Sequence, residues 1–179
     1  MQATADIPQL SWRPTLIALA VLSLLIVASG VLTNAGILPI AADTNPLPQD
    51  ELWFQLYFIG FGVLIGLVLP VLVLASGRQY AAIRAAYGPY VLVLLVQLVS
   101  EALFSALFFQ AILAITGIVY TAYRLWQVWQ GIGLLRADSS VPQPLRKRAL
   151  GLLWLLLPAW AFNLVGVLLI YSLPLIIEA

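Results

Sequence analysis

The stretch PYVLVLLVQLVSEALFSALFFQAILAITGIVY, residues 89–120, decides how this chain is folded. It runs for 32 residues without an evident turn signal. As one helix it would extend about 48 Å at 1.5 Å per residue, against roughly 30 Å of bilayer hydrocarbon. Tilt can absorb part of the excess, and the amphipathic continuation through Tyr120, Tyr123, Arg124, Trp126, Gln127, Trp129 and Gln130 can run along the interface. A broken, re-entrant element turning near Ser100 and Glu101 is the alternative. It meets a steric objection, because residues 89–100 are too few for a full crossing and no Gly or Pro marks a reversal there.

The composition around this stretch makes the membrane setting unavoidable. Of the 179 residues, 63 % are hydrophobic and 8 % charged, where a soluble domain has roughly 45–50 % and roughly 25 %. A water-soluble fold of this length has too little interior to bury that much apolar surface. The formal net charge of +1 provides no basic field for nucleic acid. With neither Cys nor His, the chain alone can form no disulfide, thiolate nucleophile, His-ligated haem or His-rich zinc site. Neither a metal nor another cofactor is expected.

Three further apolar segments lie at about 15–38, 52–75 and 149–177, each long enough to cross the hydrocarbon. The polar segment Met1–Ser11 precedes the first. Between the first two, residues 39–51 hold three Pro and three acids with no Lys or Arg, a solvent-facing connection. The second segment contains Gly62 and Gly66 in a small-xxx-small pattern that permits close helix packing, and Pro70 that can kink it. From Ser76 to Gly88, Arg78 and Arg84 alternate with Tyr80 and Tyr87, which reads as a short helix lying at the interface. Arg146, Lys147 and Arg148 directly precede the last segment. With Arg78 and Arg84 they are expected to contact lipid headgroups or an acidic partner. The fold expected from these runs is an all-α integral membrane protein. It is a single membrane domain over residues 1–179, a compact bundle of four principal transmembrane helices with an interfacial helical segment.

Cation counts make an awkward fit to four spans. An inside N-terminus would leave three cations inside and five outside, whereas a re-entrant 89–120 would gather all eight on one side. Four full spans are nevertheless the simpler reading, given the steric objection.

Gln97, Glu101 and Ser105 recur every four residues and so form one polar stripe on a helix, which should face protein rather than lipid. Asn163, in the middle of the last segment, can donate and accept across helices. These four residues form the candidate intramembrane polar site. Arg124, one turn beyond Tyr120, is expected to snorkel outward. A lone carboxylate lacks the complementary acid and base partners that catalysis uses, so no enzyme is expected. The class expected is a non-enzymatic assembly factor or accessory subunit, in contact with membrane lipids and with a membrane-protein complex or further copies of itself. The alternative is a small transporter or channel-forming subunit using Glu101.

Overall fold

The 89–120 stretch is neither one helix nor a half-helix pair centred on Glu101. In the computed structural model, which describes residues 12–41, 44–48 and 50–177, the chain reverses at residues 108–111. The polar segment Met1–Ser11 lies outside the described residues. Five helical rods result: α1 (Trp12–Asn34), α2 (Leu52–Ser76), α3 (Ala81–Leu107), α4 (Ile112–Ala137) and α5 (Gln143–Ile177). All except α4 are long and apolar enough to cross a membrane.

The reversal escapes local turn rules because packing, rather than Gly or Pro, makes it. Phe108 leaves helical geometry at φ −114° and ψ −83°, and its ring lies against Gly30 of α1, where a Cβ would come within 2.9 Å of it. Phe109 is buried, Gln110 stays exposed, and α4 starts through tight bonds such as Leu113 N to Gln110 O at 3.1 Å. A second correction follows. Residues 81–88 do not lie flat at an interface; they are the first two turns of α3, with Ala82, Ile83, Ala86 and Tyr87 buried in the core.

Short connections at 77–80, 108–111 and 138–142 make α2 to α5 alternate in direction. Helix α1 ends in a glycine turn: Gly36 adopts φ +71°, and Gly36 N–H and Ile37 N–H bond back to Thr33 O and Leu32 O, both at 2.9 Å. That pairing satisfies the terminal carbonyls and needs a residue free to adopt positive φ. Beyond it, Ala41 N–H donates to Ile176 O at 2.8 Å and ties this connection to the end of α5.

With five rods the cation count changes. Arg13, Arg78, Arg84, Arg136, Arg146, Lys147 and Arg148 belong to one end of the bundle, and Asp50 and Glu51 to the other. The eighth cation, Arg124, lies midway along α4. The uneven distribution that counted against four spans thus disappears once α3 and α4 form a hairpin.

The cationic end is packed solid by Ile83, Tyr87, Tyr90, Leu135, Leu153 and Leu156, among others. Gly131 admits Leu153 and Ala86 at close range, and Gly66 of α2 meets Trp160 of α5. Pro70 lacks an N–H and cannot return a bond to the Gly66 carbonyl four residues earlier. Tyr90 Oη donates to that carbonyl at 2.8 Å and accepts from Trp160 Nε1 at 2.9 Å. Tyr90→Phe should therefore orphan one donor and one acceptor in a dry core, costing about 1–3 kcal/mol. Thermal unfolding in mild detergent checks this, with the exposed Tyr171→Phe expected to match wild type.

Candidate functional site

Gln97 and Glu101 face the same side of α3 because they are one turn apart, and Gln97 Nε2 donates to Glu101 Oε1 at 2.5 Å. From α4, Arg124 Nη2 donates to Gln97 Oε1. The Arg124 guanidinium also stacks 4.0 Å from the centroid of the Trp160 ring. Gln97 thus stands between a buried cation and a carboxylate, and Trp160 extends the cluster to Tyr90 and the Gly66 carbonyl. Four helices contribute to one connected polar centre at mid-bundle.

Arg124 is the residue that the sequence reading misplaced. Far from snorkelling outward, it is 0 % exposed, and its Nε and Nη1 have no acceptor. Nε carries one N–H and Nη1 two. Snorkelling requires a helix end within reach, and the break at 108–111 instead places Arg124 at the centre of its own helix.

A cavity of about 280 Å³ opens beside this centre. Gln97, Glu101, Arg124, Trp160 and Asn163 line it together with the apolar side chains of Phe58, Phe61, Leu98, Leu113 and Leu168. Leu47, from the connection before α2, covers the end away from the cations, and Leu94 and Leu156 bound the other end against the packed core. Phe58, Val63 and Leu98 line the cavity while remaining exposed on the outer surface of the bundle, so the cavity has a lateral mouth. The mouth exists because α2 packs on α3 chiefly through its last turns, Leu69–Ser76, and stands off before them.

The backbone of the walls is itself unusual. Residues Phe58–Val68 of α2 and Asn163–Ser172 of α5 are wound as π-helix, and both stretches contribute to the cavity lining. Such winding normally appears as single turns, frequently at functional sites.

The other expected site residues divide. Asn163 lines the cavity, with Nδ2 donating to Thr121 Oγ1 at 3.4 Å. Ser105 does not join the cluster and bonds Ala102 O at 3.3 Å on its own helix. Gly66 makes a close interhelical contact, whereas a Cβ at Gly62 would meet nothing within 4 Å, because Gly62 faces the cavity. Arg78, Arg84, Lys147 and Arg148 are exposed at the cationic end. Arg84 Nη1 donates to Arg78 O at 2.7 Å and Arg146 Nη1 to Asp138 O at 3.1 Å. Among the described residues no three acidic, His or Cys side chains gather as a metal site would require.

Comparison with known protein families, curated proteins and solved structures finds no match to this chain.

Proposed function

We propose that this chain is a non-enzymatic, multi-pass membrane protein that binds a small lipophilic molecule in the cavity between α2, α3, α4 and α5. The observation that carries the reading is the joining of a lateral mouth to a polar floor: Phe58, Val63 and Leu98 reach the outer surface while Arg124, Gln97 and Trp160 stand at mid-bundle. A ligand dissolved in the acyl-chain region would enter sideways without crossing water. Binding sites of this kind are mostly apolar with a few fixed polar groups, and 280 Å³ lies just below the usual range of about 300–1,000 Å³. Conduction is less favoured than binding, because the cavity ends against the packed residues of the cationic end.

Gly62 supplies the test. Gly62 lines the cavity and a Cβ there would meet nothing within 4 Å, so Gly62→Phe should direct its ring into the pocket and fill it. In lipid nanodiscs the wild type should retain a naphthalene-sized lipophile above the level taken up by protein-free discs, and Gly62→Phe should abolish the excess. Equal uptake by both proteins would sink the pocket reading.

An accessory or assembly role is a second reading, favoured by one observation: a Cβ added at Gly60, part-buried on α2, would meet no neighbouring side chain or helix within 4 Å, which leaves this face open to a close neighbour. Oligomer yield in mild detergent, compared between wild type and Gly60→Leu, reports on it.

The orientation follows from the charges. Seven cations gathered at one end support an orientation with that end in the cytoplasm under the positive-inside rule. The chain has no native Cys, so single Asn45→Cys and Gln143→Cys variants can be labelled cleanly. Residues 45 and 143 should react from opposite sides of the membrane, with 143 on the inside; labelling from the same side would contradict five crossings.

A further inference from the structure

We propose that the outer face shared by α4 and α5 at the cationic end binds an anionic phospholipid, its phosphate on Arg136 and Lys147 and its glycerol and upper acyl chains over Trp129 and Trp154. The inference rests on the membrane reading above and is independent of the cavity.

Helical spacing brings these side chains together. Trp129, Gly133 and Arg136 are separated by four and then three residues and share one face of α4; Lys147, Gly151 and Trp154 share one face of α5 with the same spacing. The two helices run in opposite directions and Gly131 meets Leu153 between them, so Gly133 and Gly151 stand at one level. Both glycines are exposed, and a Cβ on either would meet nothing within 4 Å. They leave a shallow basin in the surface. Toward mid-bundle it is bounded by Trp129 and Trp154, edge to face with ring centroids 6.5 Å apart. Toward the helix ends stands Arg136, its guanidinium carbon 5.1 Å from the centroid of the same Trp154 ring.

Arg, Lys and Trp side chains are donors without an acceptor. None of these four has a hydrogen-bond partner among the described residues. Arg84 and Arg146, at the same end, instead give an N–H to the carbonyls of Arg78 and Asp138. Asp138, the carboxylate that the described residues carry at this end, is buried and takes the Ser140 N–H at 2.6 Å.

A phospholipid is the complement of such a face. Its phosphate and ester carbonyls are acceptors, and the guanidinium fork matches phosphate geometry. Arg136 and Trp129 are two turns apart, about 10 Å at 1.5 Å per residue, enough to cross a headgroup layer of roughly 5–8 Å and set the indoles at the depth where Trp concentrates. Two cations with no exposed carboxylate beside them favour a lipid of net negative charge, since the ammonium of a zwitterionic headgroup would be repelled by the same cations.

The test takes the full chain from nanodiscs of equal parts dioleoylphosphatidylglycerol and dioleoylphosphatidylcholine into mild detergent and reads the retained lipid by native mass spectrometry. Wild type is expected to favour phosphatidylglycerol about twentyfold, the effect of two cations near a membrane surface. Arg136→Gln should cut that preference about fivefold, and Gly133→Leu, which fills the basin and leaves every charge in place, should cut it comparably. Arg78→Gln removes an exposed cation of the same end from the connection between α2 and α3, and should change the preference less than about twofold. Equal losses in Arg136→Gln and Arg78→Gln, or an unaltered preference in Gly133→Leu, would overturn the site and leave only a diffuse cationic field. Loss of the preference in Gly62→Phe would overturn it as well, by putting the lipid in the cavity. No preference in wild type would end the proposal and leave the membrane reading standing, whereas extraction of the chain from liposomes by alkaline carbonate would remove that reading itself.

Discussion

Gly66→Leu is expected to abolish the folded bundle. A Cβ at residue 66 would stand 2.8 Å from Trp160 Cζ2 and 3.2 Å from Cη2, closer than such atoms approach in real proteins. Trp160 cannot yield easily, being held by Tyr90 through its Nε1 and by the Arg124 guanidinium on its face. The alternative is for α2 to retreat, which breaks the Tyr90 bond to the Gly66 carbonyl and widens the contact between α2 and α5. Forcing one extra carbon into a filled core costs typically about 1–3 kcal/mol, so Gly66→Ala should already lower the unfolding midpoint measurably. Four carbons should exceed what a marginally stable fold can lose. Size-exclusion profile and thermal unfolding in detergent read both variants. Gly151→Leu, four side-chain carbons into open space on the exposed side of α5, is the control and should resemble wild type.

Arg124→Met should have the second-largest effect, and its sign depends on Glu101. Truncating the cation leaves Gln97 without its donor, Trp160 without its stacked partner and the Glu101 carboxylate without an offsetting charge. Removing one member of a buried charge pair costs about 3–5 kcal/mol, most of it for the charge left behind. Replacing both charges should cost far less, because two apolar side chains need no mutual compensation. The double variant Arg124→Met with Glu101→Leu is therefore expected to recover the part of the lost stability that an uncompensated Glu101 costs, with Gln97 still unpartnered. A double variant as unstable as Arg124→Met alone would show that the two charges do not compensate each other.

These expectations depend on residues whose positions were unequally legible in the sequence. The apolar runs at 15–38 and 52–75 follow α1 and α2 because unbroken hydrophobicity over a bilayer width leaves no other stable choice. The pairing of Gln97 with Glu101 was equally accessible, since a spacing of four residues puts two side chains on one helical face. The α3–α4 reversal was not. Local reading looks for Gly or Pro, whereas this turn forms from Phe108 seated on Gly30, a contact between residues 78 positions apart in sequence (108 − 30) that no local window contains. Misjudging it moved Arg124 from the centre of a helix to the edge of one, and the same error produced both the misplaced cation and the uneven charge count. Ser105 shows the opposite limit: periodicity assigns a face, but how far along that face the cavity extends is settled by neighbouring helices.

In the proposed membrane setting, helix α4 also bears on the order in which the chain is put together. It is the least apolar of the five rods and has Arg124 at its centre, where insertion scales set a cost of roughly 2.5–3.5 kcal/mol for such a side chain. Alone, it is a poor candidate for release from the insertion machinery into lipid. Joined to α3 by only the residues 108–111, it has Gln97 and Glu101 alongside within one hairpin, so the Arg124 guanidinium has its Gln97 partner before α5 is present. Helix α5 follows, bringing Trp160 onto the exposed face of Arg124. On that reading the polar centre is completed in chain order, and until α5 arrives the guanidinium face that Trp160 covers stands open.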